Sequence, residues 1–152
     1  MNYARSSFIE HYVSRSEANL ECVKYFIEQA GAIVRLGGEG KTHMSNEHEY
    51  DTILVPAAIG GHSDIVQYLC EKYEFPIESK LAAMRRAVSL NRLQVIKYFE
   101  QVHAISIAKA LHYNERHELL EHIDTTVLQY EKQNDTEAQI YIIGSLIDQH
   151  YN

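Results

Sequence analysis

The chain has 152 residues, 45% of them hydrophobic, with 11 Tyr, no Trp and a formal net charge of −7. That length supports one continuous core and is short for two, and the acidic balance argues against a general nucleic-acid binder, because phosphate attraction needs basic surface. No apolar run approaches the roughly 20 residues of a membrane span and the N-terminus lacks a secretory leader's apolar stretch, so a soluble, cytoplasmic chain with neither membrane nor nucleic-acid partner is expected.

The first predicted element carries Phe8, Ile9, Tyr12 and Val13 at helical spacing; the second carries Leu20, Val23, Phe26 and Ile27. Gly31 stands where a C-terminal cap uses glycine. From 31 to 52 the helical pattern stops, which predicts a long loop, with 37–49 as the most mobile internal segment. Gly60-Gly61 then breaks the chain before Ser63, read as the cap of a helix carrying Ile65, Val66 and Leu69. Pro76 ends that helix by about Tyr73. Ser79 is read as capping a helix through Leu81, Met84, Ala87 and Val88, and Asn91 marks the next turn. Near the end, Asn134-Asp135-Thr136-Glu137 has capping-box spacing and opens a last helix with Ile140, Ile143, Leu146 and Ile147. Strand alternation is absent, so the fold class is all-α.

One short pattern recurs along these elements. Asn19-Leu-Glu-Cys-Val-Lys-Tyr-Phe26, His62-Ser-Asp-Ile-Val-Gln-Tyr-Leu69 and Arg92-Leu-Gln-Val-Ile-Lys-Tyr-Phe99 share two adjacent apolar residues, a polar one, a Tyr and another apolar one. A weaker copy spans 116–123. The anchors Val23, Val66, Ile96 and Leu120 stand 43, 30 and 24 residues apart. Such self-similarity predicts stacked helical hairpins, none able to bury its apolar face alone. Val23, Phe26, Val66, Leu69, Ile96 and Phe99 are the expected shared core.

Residues 51–72 resemble an ankyrin repeat. Ala57-Ala58, Gly61-His62 and Ile65-Val66 match that family's small residues, Gly-His turn and apolar second helix, and Thr52-Ile53-Leu54-Val55 stands in place of its Thr-Pro-Leu-His. Val55 packing must replace the bracing of the missing His. In the next copy Ala87 aligns with Ala57 and Asn91-Arg92 replaces Gly-His; Ala18-Asn19 and Leu111 with Arg116-His117 mark fainter copies. The resemblance implies a solenoid of about four helical hairpins in a single domain over 1–152, with the helix at about 135–150 as a cap outside the repeat. It also implies a non-catalytic protein-interaction module or adaptor that binds through the concave helix ends and loop tips. By the same resemblance, the partner-facing positions are Ile59 and Gly60, Ser89 and Leu90, and Tyr113 and Asn114, with Tyr50 and Asp51 on a loop tip; His62 braces its own turn. Degenerate repeats of this kind also resemble proteins of intracellular pathogens, which gives the further expectation of an effector acting on host proteins in the host cytoplasm.

Charge and chemistry complete the reading. Lys80 to Lys109 holds six basic residues and one acid, while Tyr113 to Asn152 holds eight acids against Arg116 and Lys132. Arg85 and Arg86 in the basic middle are expected to receive an acidic partner segment, since the guanidinium fork binds a carboxylate bidentately. The competing role is internal, with Arg85 or Arg92 pairing Glu residues of neighbouring repeats.

Gly37-Gly38-Glu39-Gly40-Lys41-Thr42 after an apolar run suggests a phosphate loop, and a nucleotide-binding switch or enzyme is the alternative function. Arg35 stands where that loop needs Gly, however, and no helical periodicity follows Thr42. His112, His117 and His122 are spaced by five and share no helix face; with His43 and His48 near acids in a loop, no metal geometry is defined. No nucleophile elbow occurs, and Cys22 and Cys70 are read as reduced thiols in the core. No enzyme activity, cofactor or metal is expected.

Overall fold

The computed structural model describes residues 2–36, 52–111 and 136–151, and every regular element among them is an α-helix. In chain order these are α1 (Asn2–Val13), α2 (Leu20–Glu28), α3 (Leu54–Gly60), α4 (Ser63–Lys72), α5 (Ile77–Ser89), α6 (Leu93–His103), α7 (Ile107–Ala110) and α8 (Thr136–Tyr151). No helix among the described residues is long and apolar enough to cross a membrane. The copy expected at 116–123 and the loop 37–49 lie outside the described residues.

Local chemistry accounts for most boundaries. Asn19 caps α2, its Oδ1 accepting from the amides of Glu21 and Cys22 at 2.7 and 3.3 Å. Ser106 caps α7 by accepting from the Lys109 amide at 3.1 Å. At the end of α4, Tyr73 is already extended, three residues before Pro76. Two expected caps are corrected. His62 holds the cap position of α4, which makes Ser63 its first residue. Pro76 holds the cap position of α5, which leaves Ser79 buried in the first turn.

The ends of α3 and α5 are built alike. Gly61 (φ 78°) and Asn91 (φ 58°) both occupy the left-handed region. The amides of Gly61 and His62 bond the carbonyls of Ala58 and Ala57, and those of Asn91 and Arg92 bond Val88 and Ala87. This is the Schellman pattern, in which a left-handed residue lets the chain reverse while satisfying the last carbonyls. Asn serves in the second copy because it tolerates that conformation better than other side chains.

The helices pack as two rows. In the first, α1, α3, α5 and α7 touch in sequence; in the second, α2, α4 and α6 do so, and each second-row helix also packs on the first-row helix before it. A single apolar cluster runs through both rows, from Ile9, Val13 and Val23 through Leu54, Val66 and Leu69 to Met84, Ile96, Phe99 and Ile107. Of the six core residues expected from the recurring pattern, five are fully buried, and Phe26 is half-buried with the rings of Phe8 and Tyr12 each 5.3 Å away.

Position explains what the sequence reading misjudged. Cys22 aligns with the buried Ile65 and Val95 yet is exposed, because α2 has no second-row helix before it among the described residues; Cys70 is half-buried, and neither thiol is in a disulfide. In α8 the buried stripe is Ala138, Ile142 and Leu146, while Ile140 and Ile147 face outward.

Aligned on their tyrosines, Ala138-Gln139-Ile140-Tyr141-Ile142 of α8 matches Ile65-Val66-Gln67-Tyr68-Leu69 of α4 and Val95-Ile96-Lys97-Tyr98-Phe99 of α6. All three segments have the first, second and fifth residues buried and the tyrosine half-buried. Helix α8 also touches both α6 and α7, as α6 touches both α4 and α5. Its burial and its neighbours are those of a second-row helix.

Candidate functional site

The hairpins are joined by side chains that reach from one to the preceding one. His62 Nε2 lies 2.6 Å from the Arg15 carbonyl, beyond the end of α1. Arg92, at the same place one hairpin later, donates from Nε to the Ile59 carbonyl at 2.8 Å. Both side chains follow a left-handed residue, so the turn aims them backward. The His62 side chain therefore ties its turn to the preceding hairpin, and it makes no capping hydrogen bond to α4. Arg85 reaches the other way, donating from Nε to the Ala110 carbonyl of α7 at 2.9 Å. Both arginines therefore make internal hydrogen bonds to backbone carbonyls of neighbouring helices.

A second set of ties runs along the second row. The Tyr68 hydroxyl donates to Glu28 Oε1 of α2 at 2.7 Å, with the ammonium groups of Lys24 and Lys72 over its ring. Tyr98 meets the Cys70 thiol of α4 and also lies 3.0 Å from His103 Nε2. Tyr141 donates to Glu100 Oε1 of α6, where Ser145 adds a hydroxyl at 3.2 Å and Lys97 lies 5.3 Å from the ring centre. Burial and the Glu100 carboxylate push the Tyr141 phenol up to about 12. Tyr25 holds the same place in α2 and is 58% exposed, since no second-row helix among the described residues stands behind it. These tyrosines were not singled out from sequence, although their fixed place in the recurring pattern was the available signal.

His103 closes the α4–α5–α6 junction. Its Nδ1 faces the Lys80 ammonium of α5 at 3.4 Å, and its ring packs against Tyr98 and Phe99. Burial and that ammonium hold its pKa below the usual imidazole value. A neutral ring accepting from Lys80 at Nδ1 carries its proton on Nε2, toward the Tyr98 oxygen. Burial also raises the Cys70 thiol, against donation from Tyr98.

The expected partner-facing residues divide. Arg86, Ser89 and Leu90 are exposed, Leu90 to 40%, and Ile59 is half-buried; all four stand at or near the C-terminal ends of α3 and α5. Ser89 Oγ donates to the Arg86 carbonyl at 3.0 Å, and the Arg86 side chain is exposed beside it. Gly60 has a packing role: a Cβ there would stand 2.4 Å from the Val13 carbonyl and 2.6 Å from the His62 ring. Arg85 is engaged with α7. Tyr50, Asp51, Tyr113 and Asn114 lie outside the described residues, as does the glycine-rich segment 37–42.

Just before that segment, Arg35 donates from Nε and Nη2 to the two carboxylate oxygens of Glu10 at 2.7 Å each, clamping the chain after α2 onto α1. No group of three His, Cys, Asp or Glu that could hold a metal occurs among the described residues. Compared with protein-family models, curated proteins and solved structures, the chain matches none.

Proposed function

We propose that the chain is an ankyrin-type stack of helical hairpins serving as a non-catalytic protein-binding module. The observation that carries this reading is the repeated Schellman turn at Gly61 and Asn91, each followed by a side chain bonded to the preceding hairpin. That turn brings the first-row helix ends onto one edge and leaves Arg86 and Leu90 exposed there, beside the half-buried Ile59 and a Ser89 hydroxyl bonded to the Arg86 carbonyl. An edge with two apolar side chains, Leu90 and the half-buried Ile59, and the exposed Arg86 cation suits a partner segment that is acidic and partly apolar.

The reading is tested by affinity capture with the intact chain beside an Arg86→Glu/Leu90→Asp variant. A partner retained by the wild type and lost by the variant, at unchanged melting temperature, is the expected result. Equal retention by both proteins, or no specific capture, contradicts it.

A further inference from the structure

Among the described residues the second row ends on α8, with an edge unlike the row's interior. Where α2, α4 and α6 face the next second-row helix, they present polar groups to its tyrosine: Lys24 and Glu28 to Tyr68, Cys70 to Tyr98, Lys97 and Glu100 to Tyr141. The corresponding positions of α8 are Ile140, Ile143 and Gly144, with Ile147 one turn on. Ile140 is 67% and Ile147 39% exposed, and nothing lies within 4 Å of where a Cβ on Gly144 would stand.

We propose that this edge of α8 is a self-association surface on which a second copy of the chain packs its own α8, antiparallel, about a two-fold axis. Continuity of the row says that a helix belongs there, and two features select which one. A head-to-tail copy would bring Tyr25, the only exposed tyrosine of the pattern among the described residues, against an edge that offers no acceptor where Glu28, Cys70 and Glu100 stand in the interior; its hydroxyl would be buried unpaired. The order Ile140, Ile143, Gly144, Ile147, by contrast, is symmetric about a point between 143 and 144. An antiparallel copy therefore sets Ile140 against Ile147 of the second copy and seats each Ile143 over the other's Gly144, where the missing side chain lets the backbones approach. Such a patch is complementary to itself, as a closed two-fold dimer requires.

Sedimentation equilibrium of the full chain tests the proposal: the wild type should reach a dimer, and Ile140→Glu/Ile147→Glu should remain a monomer with an unchanged far-ultraviolet circular-dichroism spectrum and the melting curve that the wild type shows when diluted to monomer. Orientation is read by cross-linking in a Cys22→Ser background. Gly144→Cys should form a disulfide-linked dimer on mild oxidation. Ile140→Cys alone should not, since its own counterpart lies about 10 Å away along the helix, whereas a mixture of Ile140→Cys and Ile147→Cys should link. A wild type that stays monomeric at all concentrations overturns the proposal, and the edge then serves another segment or partner. A double variant that stays dimeric overturns it too, as does Ile140→Cys linking as readily as Gly144→Cys.

Discussion

Ala104 ends α6 at φ 55°, in the left-handed region, where Gly31 (φ 71°) serves at the end of α2. Each lies five residues after the pattern's phenylalanine, and the next amide bonds that Phe carbonyl: Ala32 to Phe26 and Ile105 to Phe99. A Cβ in this conformation costs about 1–2 kcal/mol, part of which glycine returns through its freer unfolded chain. Ala104→Gly should therefore stabilise the protein by up to about 1 kcal/mol in urea unfolding. Gly60 gives the opposite case: Gly60→Ala drives a methyl into the Val13 carbonyl and should cost about 1–3 kcal/mol. His103 adds a pH dependence. Its folded pKa is depressed, so the unfolded chain binds the proton more readily. Stability from this residue is fully present above the unfolded value near 6.5 and is lost as pH falls through that value toward the folded one. The urea midpoint should drop across that window in the wild type and drop less in His103→Gln.

At the scale of elements, the second-row helices are where sequence and structure agree best. The doublets at 65–66 and 95–96, the tyrosine and the following apolar residue fixed the buried faces of α4 and α6 from spacing alone, and Phe99→Ala should cost about 3–5 kcal/mol. Helix α8 was legible as a helix but not as a member of this row, because its anchor position carries Gln139 where the others carry Val23, Val66 and Ile96. Apolar weight then pointed to Ile140 and Ile147, which face outward. Gln139 is buried and its Nε2 has no hydrogen-bond partner. If α8 sits as the other second helices do, Gln139→Leu removes an unsatisfied donor from an apolar site and should stabilise by about 1–3 kcal/mol; a loss would show that the site is polar. The ties through His62, Arg92 and Arg85 were hidden for another reason. Their acceptors are backbone carbonyls, which leave no mark in a sequence.

Over the whole molecule, the two neighbouring arginines of α5 separate holding the stack together from offering it to a partner. Arg85 bonds α7, so Arg85→Ala should lower the melting temperature; Arg86 is exposed, so Arg86→Ala should leave it nearly unchanged. The basic middle of the chain was readable from composition, but which arginine points outward depends on helix phase and on where α7 docks.

Native-state hydrogen exchange on the intact chain measures directly whether the hairpins share one core through to α8. If α8 is a second-row helix, the amides of its buried stripe, Ala138, Ile142 and Leu146, should exchange with an opening free energy close to that of Val66 and Ile96, and Tyr141→Phe should lower α8 and α6 together. Fast exchange throughout α8 while α4 and α6 stay protected would contradict the shared core and reduce α8 to an appendage on a three-hairpin stack.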